Sequence, residues 1–388
     1  MLRLVHTADV HLGARHADLG EQAAAQRERQ FAAFKASVDL ALAEKVDLFL
    51  VAGDLFDSNV QPRRSVERVA AELERLAGSK IRSILVPGTH DCYDRSSLYR
   101  AYDLAAMSGS TVDDGLVTVL TPERPFVHLR ACDVVVYGPV FATKRAPHSP
   151  LRDVAAARVP EATYHVGLLH GSLAIPGRTD RDDVVVTSEE IAATNLDYLA
   201  LGHWHSTQQG KAGTVTYAYA GAPEPVALDQ DRAGKVLLIT LESKAGKTTP
   251  TIEERQVGRT QFERLELDAA AIAGQPQLVA ALTKRADPDL VLDVRLVGVR
   301  SDELDLDLDE IETAVAPSFL KARVRDVSVA ALTEGTLPSP ETIAGAFIRD
   351  QEATIGELEA GGRTAEAAEA RDVLRLGRLL LAGHEVSL

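Results

Sequence analysis

Hydrophobic residues in the first hundred positions follow two alternating patterns. Continuous apolar runs at residues 2–7, 47–52 and 81–86 are typical of buried strands, whereas apolar residues recur at helical spacing over residues 21–45 and 65–77. The predicted order is therefore strand, helix, strand, helix, strand. Alternation of this kind predicts an α/β fold with a layered core.

Further short apolar runs continue this region. They predict strands at residues 117–120, 134–138, 165–169, 215–219 and 236–241. We expect these strands to complete a first domain over residues 1–245.

After about residue 260, predicted strands and helices follow one another at short intervals along the chain. The hydrophobic pattern predicts strands at residues 262–267, 290–297 and 323–329, and helices at residues 277–285 and 304–315. We expect a second, smaller α+β domain over residues 260–332.

The last part of the chain begins with a stretch typical of a linker. Residues 333–340 are rich in Thr, Gly, Ser and Pro. Two helices are predicted after it, at residues 341–360 and 364–381, within a C-terminal segment over residues 340–388. Each helix carries an apolar stripe. Two interpretations of the stripes stay open, packing on the chain's own domains or docking to a partner, because short terminal helices are marginally stable alone.

The bulk composition is that of a globular protein. Of the 388 residues, 45% are hydrophobic and 26% charged, and no apolar run approaches the roughly 18 residues of a membrane span. The first residues become polar too soon to form the apolar core of a signal peptide. We therefore expect a cytoplasmic protein with no membrane association. The two cysteines, Cys92 and Cys132, give no disulfide framework, and whether they pair stays open.

The formal charge of −15 is distributed unevenly. Residues 1–100 carry 14 Lys and Arg against 14 Asp and Glu, whereas residues 261–388 carry 13 against 24. The total argues against a generally basic nucleic-acid-binding surface, but most of the acidity lies far from the amino-terminal motifs. A polyanionic substrate is therefore compatible with the first domain, where bound cations and local arginines can set the field.

Five separated segments contain side chains that can bind metal ions, and four of them directly follow an apolar run. They are Asp9-Val10-His11, Gly53-Asp54, Gly88-Thr89-His90-Asp91, His170-Gly171-Ser172 and Gly202-His203-Trp204-His205. Ligand sites in open α/β sheets lie beyond the carboxyl ends of strands. The series therefore predicts a shared metal site.

The donor types narrow the choice of metal and reaction. Carboxylates together with imidazoles suit Mn, Fe or Zn better than Mg or Ca. Asp54 follows six mostly apolar residues, and a buried carboxylate there would be costly unless it were paired or bound to metal. Two cations bridged by this carboxylate would activate a water and hold a phosphate for in-line attack. We therefore predict a two-metal phosphoesterase.

The same series resembles the motifs of the calcineurin-like metallophosphoesterase superfamily. Residues 7–13, Thr-Ala-Asp-Val-His-Leu-Gly, and residues 51–57, Val-Ala-Gly-Asp-Leu-Phe-Asp, are most similar to bacterial DNA repair exonucleases of the SbcD and YhaO-like type. The resemblance covers about residues 1–245 by motif and the next domain by layout only. It implies a layered metallophosphoesterase β-sandwich flanked by helices, followed by a smaller α+β capping domain and C-terminal helices.

The resemblance also implies a set of metal ligands. One metal would be held by Asp9, His11, Asp54 and His205, and the second by Asp54, Thr89, His170 and His203. We expect two divalent ions, Mn foremost, with Fe, Zn or Mg as alternatives.

One position departs from the family pattern. The family usually has Asn where this chain has Thr89, and a threonine hydroxyl is a poorer ligand than an amide oxygen. Three outcomes stay open: weak binding by Thr89, a substituting water, or a loosely held second metal.

Two more residues are assigned to catalysis by the resemblance. The histidine that matches His90 contacts the scissile phosphate or protonates the leaving alkoxide, and an imidazole suits that work. Asp57, three residues after Asp54, is expected to accept a hydrogen bond from His90 and fix its orientation. A loop cap is the structural alternative for Asp57.

The expected function is that of a metal-dependent DNA nuclease in repair or recombination. The resemblance implies DNA as the substrate and an SMC-like ATPase partner of the SbcC or YhaN-like type at the C-terminal helices, and it leaves a homodimer open. Two alternative functions also stay open. One is a phosphodiesterase for small substrates, which would not need the extra domain. The other is a metal-poor scaffold with the same fold, which only Thr89 favours.

Overall fold

The computed structural model of the chain describes residues 1–111, 114–152, 154, 159–179, 181–225, 230, 232–301, 304–330, 338–339 and 341–381. The chain divides into two compact units, Met1–Gln261 and Phe262–Leu388. Helices in the described ranges are all too short or too polar to cross a membrane. Most of the predicted linker at residues 333–340, and the residues after 381, lie outside the described ranges.

The first unit is built from strands and helices that alternate along the chain. Its strands are β1 (Leu2–Thr7), β2 (Leu48–Ala52), β3 (Arg82–Val86), β4 (Val117–Val119), β5 (Phe126–Leu129), β6 (Val134–Tyr137), β7 (Tyr164–His170), β8 (Ser172–Leu173), β9 (Val185–Val186), β10 (Tyr198–Gly202), β11 (Gln208–Ala212), β12 (Val215–Tyr219), β13 (Lys235–Lys244) and β14 (Lys247–Gln256). Its α-helices are α1 (Ala23–Glu44), α2 (Arg63–Gly78), α3 (Leu98–Ala101), α4 (Leu104–Met107) and α5 (Ser188–Thr194).

These strands form two six-stranded mixed sheets. The first has the order β14-β13-β1-β2-β3-β4 and the second β11-β12-β10-β7-β6-β5. Neighbours β1, β2 and β3 are parallel, as are β6, β7, β10 and β12. Parallel pairing aligns the carboxyl ends of these strands, so the loops that follow them emerge at one edge of each sheet.

The two sheets enclose one apolar layer and carry helices on their outer faces. Alternate residues of β1 and β2 point to opposite sides, so Leu4 and Leu50 pack between the sheets while Val5 and Phe49 pack against α1 and α2. A third apolar layer covers the outer face of the second sheet and includes Ile191 of α5. Burial on both faces explains the continuous apolar runs, because a central strand has no solvent-facing side.

The predicted α/β layered fold is therefore confirmed, and its strands are positioned close to prediction. Several elements were not predicted, among them β5, β10, β14 and α5. Strand β10 is the most consequential, since it leads directly into His203. Its sequence, Tyr-Leu-Ala-Leu-Gly, is an apolar run too short for periodicity alone to distinguish a strand from a buried helix segment.

The second unit combines a small sheet with helices. It contains β15 (Gln261–Asp268, which starts at the last residue of the first unit), β16 (Asp287–Val297), β17 (Val299–Arg300), β18 (Phe319–Asp326), β19 (Val329–Ala330), α6 (Gln275–Thr283), α7 (Leu308–Val315), α8 (Ile343–Ala360) and α9 (Thr364–Leu381). Strands β15, β16 and β18 form a three-stranded sheet, and α6 and α7 contribute to its apolar core.

The helix predicted from residue 304 begins four residues later, at Leu308. Asp307 caps it, since the Asp307 carboxylate accepts a hydrogen bond from the Glu310 backbone N–H at 2.9 Å. The two predicted C-terminal helices are present as α8 and α9, and they contact each other where the Phe347 ring lies over Gly377.

Candidate metal centre

The five motifs meet where the carboxyl ends of the two sheets come together. Hydrogen bonds join the loops directly: the Asp9 backbone N–H donates to the Gly53 carbonyl at 3.1 Å, and that of Gly171 donates to the Gly202 carbonyl at 3.1 Å. The Asp9 carboxylate links the two sheets, because both of its oxygens accept from the His203 backbone N–H, at 3.0 and 3.1 Å. The predicted site residues are therefore brought together in the first unit.

Left-handed backbone conformation turns the ligand side chains inward. Asp9, His11, Asp54 and His203 have φ values of 52°, 50°, 49° and 105°. Non-glycine residues adopt positive φ infrequently and at a cost in free energy, and such residues concentrate at functional sites. The loops hold these conformations by tight hydrogen bonds, such as His11 N–H to the Asp54 carbonyl at 3.0 Å.

Two glycines of the motifs are required because side chains of the site lie directly against their Cα atoms. A Cβ atom on Gly53 would lie 2.4 Å from His170 Nδ1, and one on Gly88 would lie 2.2 Å from Asp54 Oδ1. Neither position can hold a side chain without moving a predicted ligand. The glycines that precede Asp54 and Thr89 in the motifs therefore serve the packing of the site.

Asp9, His11 and His205 form what we call the first ligand group. One candidate donor atom from each lies within 4.8 Å of the others, and His11 Nε2 is 3.1 Å from His205 Nε2. Asp9 is fully buried and His11 nearly so. The group offers one carboxylate and two imidazoles to a single point.

We call Thr89, His170 and His203 the second ligand group, after the set that the resemblance implies; the donor atoms that lie within 4.8 Å of one another around His170 are those of Asp9 and Asp54. His170 Nε2 lies 3.5 Å from Thr89 Oγ1, and the ring centroids of His170 and His203 are 5.3 Å apart. Asp54 lies between the two groups, since its Oδ2 atom is 3.2 Å from His170 Nε2 and 3.8 Å from His11 Nε2. The Thr89 hydroxyl donates to the same Oδ2 atom at 3.4 Å.

The imidazoles are oriented as metal ligands usually are. His170 Nδ1–H donates to the Ala52 carbonyl at 3.0 Å, His11 Nδ1 lies 3.2 Å from the Asp57 carboxylate, and His205 Nδ1 contacts the Gln230 side-chain amide. Each of the three therefore directs Nε2 towards the site, an arrangement in which outer partners fix ring orientation and ligand basicity. The donor set fits a divalent metal ion.

Burial and mutual charge perturb the titration of these groups. Burial raises the pKa of Asp9 to about 6 and, with the neighbouring His11, lowers the pKa of His205 to about 3. Burial opposes protonation of His170, yet the adjacent Asp54 carboxylate raises its pKa to about 9. Burial would raise the pKa of Asp54, but His170 and His11 lower it well below its usual range.

These pKa shifts indicate that the buried carboxylates are stabilised by positive charge close to them. In the protein alone that charge comes from protonated imidazoles, His170 among them. The pKa of His11 is also raised, since the hydrogen bond to Asp57 and the charge of Asp54 outweigh burial. Divalent cations would supply the same charge without protonating the ligands. The electrostatics of the site thus fit bound metal.

His90 differs from the ligands by its exposure. Its side chain is 47% exposed, while its backbone N–H donates to Asp54 Oδ1 at 2.7 Å. His90 Nδ1 lies 3.0 Å from the Asp57 carbonyl oxygen and 3.8 Å from the Asp57 carboxylate. The carboxylate is nearer to His11. Asp57 therefore contacts both histidines, His90 through its backbone and His11 through its side chain.

Three supporting residues had no predicted role. Asp91 is fully buried and accepts hydrogen bonds from Gly88 N–H at 2.7 Å and from the Tyr99 hydroxyl at 2.6 Å. Asp182 contacts His203, and Gln230 contacts His205. Asp91 belongs to a motif and could have been found from it. Asp182 and Gln230 lie outside every predicted strand and helix, so no sequence signal identified them.

Trp204, between the two histidines of its motif, packs beneath the loop. Its ring stacks on Tyr219 with centroids 4.5 Å apart and an interplanar angle of 19°. The Tyr219 hydroxyl in turn donates to the Gly171 carbonyl at 3.0 Å. This stack supports the loop that carries His203 and His205.

Comparison with known proteins identifies similar chains. The DNA double-strand break repair protein Mre11 of Aeropyrum pernix is 28% identical over 277 residues, covering 69% of this chain and 64% of that protein. The SbcD component of the nuclease SbcCD of Rhodobacter capsulatus is 27% identical over 330 residues, covering 74% and 77%. The uncharacterized metallophosphoesterase YhaO of Bacillus subtilis is 27% identical over 227 residues, covering 57% and 52%.

The chain thus spans between about half and two thirds of the Bacillus and Aeropyrum proteins. The sequence profile described as calcineurin-like phosphoesterase matches residues 2–207, which include all five motifs. That match covers more than half of the chain and confirms the predicted resemblance. The chain belongs to the calcineurin-like phosphoesterase family.

Proposed function

We propose that this protein is a metal-dependent nuclease that hydrolyses phosphodiester bonds of DNA in repair or recombination. The observation that carries the proposal is the position of Asp54 between two groups of metal-binding side chains. Similar proteins named as a repair protein and as a nuclease component support DNA as the substrate.

The residues of the centre would hold two divalent cations. Asp9, His11 and His205 would bind one, Thr89, His170 and His203 the other, and Asp54 would bridge them. When bound, two such ions lower the pKa of a water and neutralise charge on a phosphate. Mn is the metal that we propose, with Fe, Zn and Mg as alternatives, because the donors mix imidazoles and carboxylates.

His90 is the proposed catalytic residue. Its ring is exposed beside the ligand groups, and the Asp57 carbonyl occupies Nδ1, which leaves Nε2 for the substrate. From this position Nε2 would contact the scissile phosphate or give a proton to the leaving oxygen. Asp57 would hold His90 through its carbonyl and the ligand His11 through its carboxylate.

The second unit and the C-terminal helices are proposed to serve binding. We assign residues 260–332 as a capping domain that guides DNA and residues 340–388 as the docking segment for an SMC-like ATPase. Ile343, Val373 and Leu380 are exposed on α8 and α9 and are therefore available for contact with such a partner. The homodimer and the cytoplasmic location stay predictions.

The test is Mn-dependent cleavage of a labelled linear DNA by the wild type and His90→Ala. We expect His90→Ala to lose about 10²- to 10⁴-fold in turnover, the usual contribution of a general acid or base, while retaining its metal. His128→Ala, on strand β5 at the far edge of the second sheet, is the matched control.

Each other result has a distinct meaning. Loss of metal in His90→Ala would reassign His90 as a ligand. Turnover of a chromogenic phosphodiester by a wild type that leaves DNA intact, with the ATPase partner present, would contradict the nuclease and favour a small-substrate enzyme. A metal-free wild type would favour the scaffold.

A further inference from the structure

Asp182 is a carboxylate at the second ligand group that neither the motifs nor the family assignment includes. It lies in the loop between β8 and β9, and its Oδ2 atom is 3.6 Å from His203 Nε2. Its backbone N–H donates to the Thr179 carbonyl at 3.0 Å. The loop therefore presents the carboxylate to His203 from a fixed position.

A buried serine fixes the Asp182 side chain. Ser172 is fully buried, and its hydroxyl donates to the same Oδ2 atom that faces His203. The Ser172 backbone N–H donates to the Val184 carbonyl at 2.8 Å, which ties the two ends of the loop together. Ser172 also follows the ligand His170 by two residues. The Asp182 carboxylate thus contacts His203 directly and is linked to His170 through Ser172.

Among the described residues, Asp182 is the carboxylate that approaches Nε2 of the His203 ring from the loop. His11, His170 and His205 each have Nδ1 bound to an outer partner. The His203 side chain is 27% exposed, and the contact of His203 with Asp9 is made by its backbone N–H and not by its ring. The Asp182 carboxylate, 3.6 Å from Nε2, restrains the ring on that side and leaves Nδ1 as the ligand atom.

The second ligand group needs outer partners for its histidines more than the first group does. Thr89 provides a neutral hydroxyl where the group requires a strong donor, so binding of an ion there depends more on the two histidines. A carboxylate behind an imidazole raises its basicity and adds negative charge close to the ion. Both effects favour a divalent cation.

We propose that Asp182, held by Ser172, is a positioning residue that orients His203 and compensates for the weak donor at Thr89. The inference rests on the proposed two-metal site. Asp182 acts through His203 and contacts neither substrate nor the reacting atoms.

The test compares Mn²⁺ binding to the full chain in the wild type, Asp182→Asn and Asp183→Asn. Asp183 is the matched control, because it is the next residue and its carboxylate pairs with Lys144 at 3.5 Å. Isothermal titration gives the affinity of each ion, and electron paramagnetic resonance reports the coupled signal of a Mn pair. Thermal unfolding checks that each variant is folded.

We expect Asp182→Asn to bind the second ion about 10- to 100-fold more weakly, the usual effect of losing an outer partner of a ligand. The first ion should bind as in the wild type, and the coupled signal should disappear at limiting Mn²⁺. Ser172→Ala should change the second ion in the same direction and by less. A purely structural role for Asp182 would lower the unfolding temperature and weaken both ions.

Two outcomes separate the inference from the proposed function. If the wild type binds two ions and Asp182→Asn binds both as tightly, the role of Asp182 is overturned and the two-metal site stands. If the wild type binds no Mn²⁺, the proposed two-metal site fails and the role of Asp182 fails with it.

Discussion

The two ligand groups share Asp54 but differ in how their side chains are supported. In the first group, Asp9 is fully buried and held by two backbone contacts with His203, and side chains of Asp57 and Gln230 contact the outer nitrogens of His11 and His205. In the second group, the Ala52 carbonyl likewise holds His170 Nδ1, but Thr89 offers a neutral hydroxyl, and the loop carboxylate beside His203 Nε2 lies 3.6 Å away. The first group is therefore the better preorganised.

This difference implies unequal metal affinities. A preorganised group loses little conformational freedom on binding, and the second group lacks a strong donor at residue 89. We infer that the first site fills at lower Mn²⁺ concentration and that occupancy of the second limits activity. Three experiments test whether the two sites differ in this way.

Asp54→Ala should have the largest effect because the carboxylate serves both groups. We expect loss of both ions and a fall in turnover of about 10³-fold or more, since the electrostatic centre would be removed. Metal content and cleavage of labelled DNA measure this. Asp54→Asn preserves the shape of the side chain, and Asp39→Ala, at a partly exposed residue, controls for loss of a carboxylate elsewhere. Retention of a full metal pair by Asp54→Ala would refute the bridging role.

The first group was easier to predict from sequence than the surroundings of the second. Asp9, His11 and Asp54 directly follow continuous apolar runs, so their strands, and the sheet edge where they end, could be inferred. His205 could be placed only by motif, since β10 was not predicted. His170 directly follows the strand predicted at residues 165–169, whereas His203, like His205, could be placed only by motif.

What could not be predicted depends on tertiary contacts. Asp182 and Gln230 are distant in sequence from the histidines that they contact, and no local pattern distinguishes them from other loop residues. The carboxylate of Asp57 was expected to hold His90 and instead lies nearer to His11. Side-chain direction after a strand depends on left-handed turns at Asp9, His11 and Asp54, which the sequence does not specify.

Lowering the pH should weaken the second ion steeply. Asp54 raises the pKa of His170 to about 9 despite burial, so at pH 7 a cation must displace a proton from this ligand. Affinity should therefore rise about tenfold per pH unit as pH increases towards 9 and fall by the same factor as it decreases. The first ion should weaken as well, because the pKa of its ligand His11 is also raised and because Asp9, whose pKa is raised to about 6, takes up a proton below that pH. Titration calorimetry in buffers of different ionisation enthalpy measures the released protons, and binding without proton release would contradict the assignment of His170.

Thr89→Asn should give the smallest effect and the most specific one. An amide oxygen is a stronger donor than a hydroxyl, so the second ion should bind several-fold to about tenfold more tightly, with the first unchanged. Thr89→Ser keeps a hydroxyl and is the matched control. If Asp182 compensates for Thr89, the gain should be larger in Asp182→Asn than in the wild type, because residues that support one ion act non-additively. Equal gains in both backgrounds would mean that the two residues act independently, and no gain in either would mean that Thr89 does not contact the second ion.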